Sequence, residues 1–143
     1  MEDPREPLIG TWRLAKVEHS SGRGEVDDQP WGTAPTGHLT YTSEGTMTAL
    51  ISYGGRRLLS ADRLAAPAAE RAEAFASFFA YGGRYSVDGL RVIHHVEVAS
   101  FQNWVGTDLV REFELRDGRL RLRTPATLVG GEARIAELFW DRA

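Results

Sequence analysis

The chain has 143 residues, of which 42% are hydrophobic and 26% are charged, a composition typical of one globular domain. A net charge of −3 argues against nucleic acid as a partner, and no apolar run approaches the roughly 20 residues that a membrane-spanning helix needs. The absence of cysteine excludes disulfides and thiolate chemistry. Because the acidic N-terminus lacks the pattern of a secretion signal, the sequence predicts a cytoplasmic protein with a single domain, residues 1–143.

Strand signals recur along the chain, each bounded by turn residues. Eight segments alternate apolar with polar residues in this way: residues 8–19, 36–42, 46–53, 83–87, 90–98, 107–116, 119–124 and 133–141. Asp88-Gly89 and Asp117-Gly118 are strong signals for tight hairpin turns, and Gly45 suits the turn between the second and third segments. The order predicts an all-β protein of about eight antiparallel strands.

One alanine-rich segment, about residues 67–80, predicts a short helix instead. Pro67 suits a first helical turn, and Phe75, Phe78 and Phe79 would share one helical face. A sheet of so many hairpins leaves two exposed edges unless it closes on itself. We therefore expect a β-barrel with the helix against its end or side.

Two adjacent histidines lie in the strand predicted at 90–98. Alternation places His94 on the apolar, inward face and His95 on the outer face. Neighbours on opposite faces cannot ligate one metal ion together, so we predict no metal site here. His19 and His38 are expected to be exposed.

Hairpin geometry also predicts which residues face each other across strands. A turn at Asp88-Gly89 pairs Gly83 with His94, and a symmetric connection to the following strand pairs His94 with Arg111. The remaining pairs expected on this basis are Val87–Leu90, Tyr85–Val92, Val92–Phe113, Val96–Leu109, Leu115–Leu120 and Phe113–Leu122.

The predicted interior is apolar with few polar groups, as is typical of a small-molecule pocket. The residues expected to bind the ligand are Trp12, Leu39, Met47, Ile51, Tyr81, Val92, Val96, Asn103, Trp104 and Phe113. Trp31, in the long first loop, is a candidate lid. No phosphate-binding loop, nucleophile elbow or HExxH motif occurs in the sequence, so no cofactor is expected.

Several stretches together resemble the bacterial lipocalin-like domain family. "LIGTWRL" (8–14) carries the Gly-x-Trp opening of lipocalins, with Gly10 and Trp12. The others are "TGHLTYTSEGTMTA" (36–49), "FFAYGGRYSVD" (78–88) and "VIHHVEVASFQNWVGTDLVREFEL" (92–115). The resemblance covers nearly the whole chain. It implies a compact eight-stranded barrel with a cavity for an apolar small molecule, and it leaves carrier and enzyme roles open.

Four inward polar residues are the candidate catalytic groups: His94, Arg111, Tyr41 and Tyr85. Arg111 could anchor a carboxylate or enolate, because its guanidinium offers a fixed fork of donors and stays charged. His94 would act as a general acid/base, and the tyrosines would orient a carbonyl. In the structural alternative, Arg111 lies across Trp12, as an arginine does in lipocalin barrels, and His94 is a core residue.

These residues, together with what the resemblance implies, lead us to expect a barrel that binds an apolar, oxygen-bearing small molecule and promotes its cofactor-independent cyclisation or isomerisation in specialised metabolism. The second hypothesis is a non-catalytic carrier or sensor that uses the same cavity. The third is a barrel filled by its own side chains that serves as an interaction module. The oligomeric state stays open, with a homodimer among the options.

Overall fold

The computed structural model describes residues 2–21 and 24–143, and antiparallel strands dominate this part of the chain. The strands are β1 (Gly10–Ser21), β2 (Val26–Asp27), β3 (Thr36–Tyr41), β4 (Thr46–Ser52), β5 (Phe78–Asp88), β6 (Arg91–Ala99), β7 (Asp108–Arg116), β8 (Arg119–Arg123), β9 (Thr127–Val129) and β10 (Glu132–Arg142). The helical elements of the described residues are α1 (Ala68–Ala76) and two 3-10 turns, Glu6–Leu8 and Gln102–Trp104.

Eight of the described strands close into an antiparallel barrel, which confirms the predicted lipocalin-like fold. Neighbours run in the order β1-β3-β4-β5-β6-β7-β8-β10, and β10 pairs back onto β1. The wall follows the alternation of the sequence: Met47, Ala49 and Ile51 of β4 are buried, and the residues between them face outward. The short strands β2 and β9, which the sequence did not predict, extend β1 and β10 at the open end of the barrel.

The helix is shorter than predicted. Of the expected span 67–80, only Ala68–Ala76 is α-helical. Phe78 and Phe79 begin β5, so the predicted helical face that they share with Phe75 is wrong. Pairing of β5 along β4 completes the barrel wall, and this tertiary gain outweighs the local helical pattern. No helix in the two described ranges is long and apolar enough to cross a membrane.

The register of the β5–β6 hairpin differs from the prediction by two residues. Its loop is Gly89-Leu90 rather than Asp88-Gly89, and His94 therefore faces Tyr85. Gly89 adopts the positive φ of +61° that a tight turn requires, and Leu90 is 75% exposed. The predicted pairs Gly83–His94, Tyr85–Val92 and Val87–Leu90 are wrong.

The β6–β7 pairing is displaced in the same way. The connection contains the 3-10 turn Gln102–Trp104 and is not symmetric, so His94 faces Leu109 and Arg111 faces Val92. The predicted pairs His94–Arg111, Val92–Phe113 and Val96–Leu109 are wrong, whereas Leu115–Leu120 and Phe113–Leu122 in the next hairpin are confirmed. A shift by two residues keeps every side chain on its predicted face. His94 accordingly points inward and is 1% exposed.

Trp12 closes the end of the barrel where β1 begins. Its Nε1 donates to the Leu8 carbonyl at 2.9 Å, which holds the turn Glu6–Leu8 at the barrel end. The Arg142 guanidinium lies 3.9 Å from the Trp12 ring centroid and donates to two carbonyls of the N-terminal segment at 2.6 and 2.8 Å. The arginine over Trp12 is thus Arg142, and the alternative that gave this role to Arg111 is wrong.

We expect Arg142→Met to lower the free energy of unfolding by about 1–2 kcal/mol, because it removes a cation–π contact and two hydrogen bonds at a partly wet site. Urea denaturation measures the change. Arg13→Met, which alters an exposed arginine on the same wall, is the control and should change stability by no more than about 0.5 kcal/mol. Equal stability of the two variants would contradict a role for Arg142 in closing the barrel.

Candidate functional site

A cavity of about 310 Å³ enters the barrel from the end opposite Trp12. Its apolar wall includes inward positions on four strands: Leu39, Ala49, Ile51, Leu122 and Leu138. Polar side chains reach the same space, among them His19, Tyr81, His94 and Arg111, and the lining also includes Asp108, Thr124, Thr127 and Arg134. An apolar pocket with a few convergent polar groups is the usual form of a small-molecule site. The third hypothesis, a barrel filled by its own side chains, does not fit this space.

The innermost polar group is His94, which lies between two tyrosines. Its Nε2 is 2.7 Å from the Tyr41 hydroxyl, and its Nδ1 is 2.8 Å from the Tyr81 hydroxyl. Burial lowers the pKa of His94 to about 3, with smaller contributions from the charges of Arg111 and His95. The imidazole is therefore neutral, and it accepts a hydrogen bond from one tyrosine and donates to the other. The tyrosine that accepts from His94 keeps its own O–H free for another partner.

Arg111 lies beside this chain and also lines the cavity. Burial raises the pKa of Tyr81, while the nearby charge of Arg111 opposes that rise. Arg111 also donates to the Val110 carbonyl at 3.1 Å. Within the described residues no carboxylate forms an ion pair with Arg111. A partly buried guanidinium without a counter-ion favours an electron-rich oxygen in the cavity.

Aromatic rings line the route into the cavity. Trp31 stacks on Tyr53 with 5.2 Å between ring centroids and meets Phe79 edge-on at 5.5 Å. Trp104 meets both Phe79 and Tyr81 edge-on at 5.6 Å. These contacts form a continuous aromatic wall from the first loop to Tyr81, which bonds His94. Such a wall complements a planar ring better than a flexible alkyl chain.

The structure brings together part of the predicted site. His94, Arg111, Leu39, Ile51, Tyr81 and Trp104 line the cavity, and Tyr41 contacts it through His94. Tyr85 instead donates to the Thr42 carbonyl at 2.8 Å, near the hairpin turn at the closed end. The other predicted ligand-binding residues lie outside the cavity lining: Trp12, Met47, Val92, Val96, Asn103 and Phe113.

His19 was expected on the surface, and that expectation is wrong, because it is 5% exposed and lines the cavity. The reason is an irregularity in β1: the register shifts between Leu14 and Lys16, so Val17 and His19 turn inward. Strict alternation counted from Leu14 places them outside. The exposed His38 agrees with its prediction.

The closed barrel and its one-ended cavity define a lipocalin-like architecture. The family model described as "Lipocalin-like domain" matches residues 9–143, and the chain belongs to this family. The "4'-hydroxy-3'-methoxypropiophenone carrier protein ppsC" of Aspergillus oryzae is 35% identical over 83 residues, which span 51% of this chain and 74% of that protein.

Two solved structures align with this chain over almost their whole length. A mutant of the fluorescent protein UnaG is 17% identical, with a TM-score of 0.43 over 96% of this chain and 97% of that one. A mutant of the REP1-NXSQ fatty acid transporter is 10% identical, with a TM-score of 0.42 over 96% and 99% of the two chains.

The buried neutral state of His94 predicts a pH dependence of stability. The pKa of His94 is about 3 in the folded chain against 6.5 for an ordinary histidine, so the unfolded chain binds an extra proton between these values. The free energy of unfolding should therefore fall as the pH decreases below about 6.5, by roughly 1 kcal/mol per pH unit from this group.

Urea denaturation between pH 7 and 5 measures this slope. His94→Gln can still bond both tyrosines but cannot titrate. The change of its unfolding free energy with pH should therefore be smaller than that of the wild type by the uptake of about one proton on unfolding. His38→Gln, at an exposed histidine, should keep the wild-type slope. Identical slopes for His94→Gln and the wild type would contradict the assignment of a neutral His94.

Proposed function

We propose that this protein is a carrier that binds a small aromatic molecule bearing an acceptor oxygen. The observation that carries the proposal is the Arg111 guanidinium, which lines an aromatic-walled cavity and has no carboxylate partner among the described residues. A guanidinium that lacks a counter-ion in such a site is costly, and a ketone, carboxylate or phenolate oxygen would offset that cost.

The size of the cavity limits the ligand. About 310 Å³ lies at the small end of ligand pockets, which suits one aromatic ring with short substituents. The edge-on ring contacts of Trp104 and Phe79 would continue onto a ring of the ligand. Apolar burial of that ring would supply affinity, and the Arg111 end would supply orientation.

The relative from Aspergillus oryzae supports this choice. Its name describes a carrier for 4'-hydroxy-3'-methoxypropiophenone, a single ring with a ketone and two further oxygens, and the matched segment is 35% identical to this chain. The chemistry of that compound agrees with the donors and the aromatic wall. We therefore take it as the first probe for binding, with the natural ligand defined by class rather than by name.

The probe should bind and quench the fluorescence of Trp31 and Trp104, which line the cavity. We expect Arg111→Met to weaken binding roughly 10- to 100-fold, because it removes a charge-assisted hydrogen bond. Arg91→Met, at an exposed arginine of β6, is the matched control and should bind as the wild type does. Equal affinities of the two variants, with unchanged circular dichroism, would overturn the role of Arg111.

Catalysis is the second candidate, and the hydrogen-bonded series Tyr41–His94–Tyr81 beside Arg111 favours it. Arg111 and Tyr81 would polarise a ligand carbonyl, His94 would accept the proton of the adjacent C–H bond by relay through Tyr81, and return of that proton to another atom of the enolate would complete an isomerisation. Two features favour the carrier over this candidate. Both ring nitrogens of His94 already have partners, and its pKa of about 3 makes it a weak base.

Deuterium exchange separates the two functions. A catalytic amount of protein is incubated with the ketone probe in heavy water, and exchange next to the carbonyl is followed by NMR. The carrier proposal predicts exchange no faster than in buffer. It also predicts that the amount of bound probe is proportional to the amount of protein and that this probe is recovered unchanged. Accelerated exchange that is lost in Tyr81→Phe would reject the carrier in favour of the isomerase.

A further inference from the structure

His19 is a polar group of the cavity wall that the proposed function does not use. It lines the cavity and is 5% exposed, and Trp31 meets its ring edge-on at 5.5 Å. No hydrogen-bond partner for the imidazole exists among the described residues. Its ring nitrogens are not among the fully enclosed unpaired atoms of the described residues, so they reach the cavity, where a ligand group can bond to them.

The two polar ends of the cavity differ in kind. Burial and the nearby charge of Arg134 lower the pKa of His19, which favours a neutral imidazole with one donor and one acceptor nitrogen. Arg111 offers donors only. A hydroxyl, which both donates and accepts, matches His19. An oxygen that only accepts matches Arg111.

The strand pairings separate these two ends across the barrel. His19 of β1 pairs with Ala136 of β10, and the Thr124 amide donates to the Ala136 carbonyl at 2.9 Å. The β7–β8 register, in which Glu112 faces Arg123, brings Arg111 beside Thr124. His19 and Arg111 are therefore three strands apart, about 14 Å along the curved wall at the usual strand spacing. Both side chains line the same cavity from well-separated strands.

We propose that His19 is a second ligand anchor, so that the ligand is an aromatic compound with an acceptor oxygen at one end and a hydroxyl at the other. The acceptor oxygen binds at Arg111 and Tyr81, and the hydroxyl binds at His19 beside Trp31. This inference rests on the proposed small-molecule binding and adds to it the orientation of the ligand and the identity of its second group.

A cycle of ligand and protein changes tests the inference. The probes are 4'-hydroxy-3'-methoxypropiophenone, the same compound with its hydroxyl methylated, and the same compound with its ketone reduced to a methylene. Each is titrated against the wild type, His19→Phe, His19→Gln and Arg111→Met, with binding measured by calorimetry. His38→Phe, at an exposed histidine of β3, is the matched control.

We expect methylation of the hydroxyl to weaken binding to the wild type roughly fivefold or more, as for loss of one hydrogen bond. The same methylation should make little difference in His19→Phe and should again weaken binding in His19→Gln, whose amide can donate and accept. Reduction of the ketone to a methylene should weaken binding to the wild type and to both His19 variants. In Arg111→Met it should make little difference. His38→Phe should behave as the wild type with all three probes.

Three results would overturn the inference, and they are distinguishable. If the hydroxyl and methoxyl compounds bind equally to the wild type, His19 is not an anchor while the proposed binding function stands. If the effect of the hydroxyl disappears in Arg111→Met rather than in His19→Phe, the hydroxyl binds at the other end. If the wild type binds none of the probes, the proposed function fails for this ligand class and the inference fails with it.

Discussion

The pairing of β1 on both of its edges is the constraint on which the site depends. β1 joins β3 on one side and β10 on the other, and this turns a meander of hairpins into a closed wall. Closure satisfies the backbone groups of both edges and leaves an interior that side chains fill only in part. Trp12, which Arg142 covers from outside, fills the end where β1 starts, so the free volume collects at the other end.

His94 and the two tyrosines bonded to it form a buried polar centre at the inner end of that volume. The fold supports it because both nitrogens of the imidazole have a hydrogen-bond partner. His94 is fully enclosed, and two tyrosines take up both of its nitrogens. Such a network keeps the imidazole neutral and rigid, because any other protonation state or rotamer would break a buried hydrogen bond. The centre can therefore hold the Tyr81 hydroxyl in a fixed position while it takes no charge itself. A carrier benefits from this arrangement, since it orients a ligand without reacting with it.

The barrel could be predicted well from the sequence because apolar residues and turn residues repeat at regular intervals along the chain. Alternating apolar residues and glycine-containing turns identify strands, and they place His94 and Arg111 on the inner face even where the register was wrong by two residues. The errors share one cause, which is that connections are not periodic. The 3-10 turn Gln102–Trp104 and the true loop at Gly89-Leu90 follow from tertiary packing that no local pattern encodes.

The same reason explains why the candidate site was predicted only in part. Some residues were assigned to the inner face by alternation with nearby apolar residues of the same strand. Among them, Leu39, Ile51 and Tyr81 line the cavity as expected. Tyr85 belongs to an inward position too, but the tilt of the strands carries it toward the closed end, where its hydroxyl bonds a turn carbonyl. Alternation identifies the face of a residue and does not give its height in the barrel.

The irregularity of β1 has a consequence for chain length. Leu14 faces Trp140 and Lys16 faces Phe139, so Ala15 is an extra residue without a partner in β10. Deletion of a residue inside a strand ordinarily turns every later side chain to the opposite face. Deletion of Ala15 would instead leave a regular strand with Val17 and His19 still facing inward. Position 15 is thus a point at which relatives can gain or lose a residue while their cavity walls stay the same.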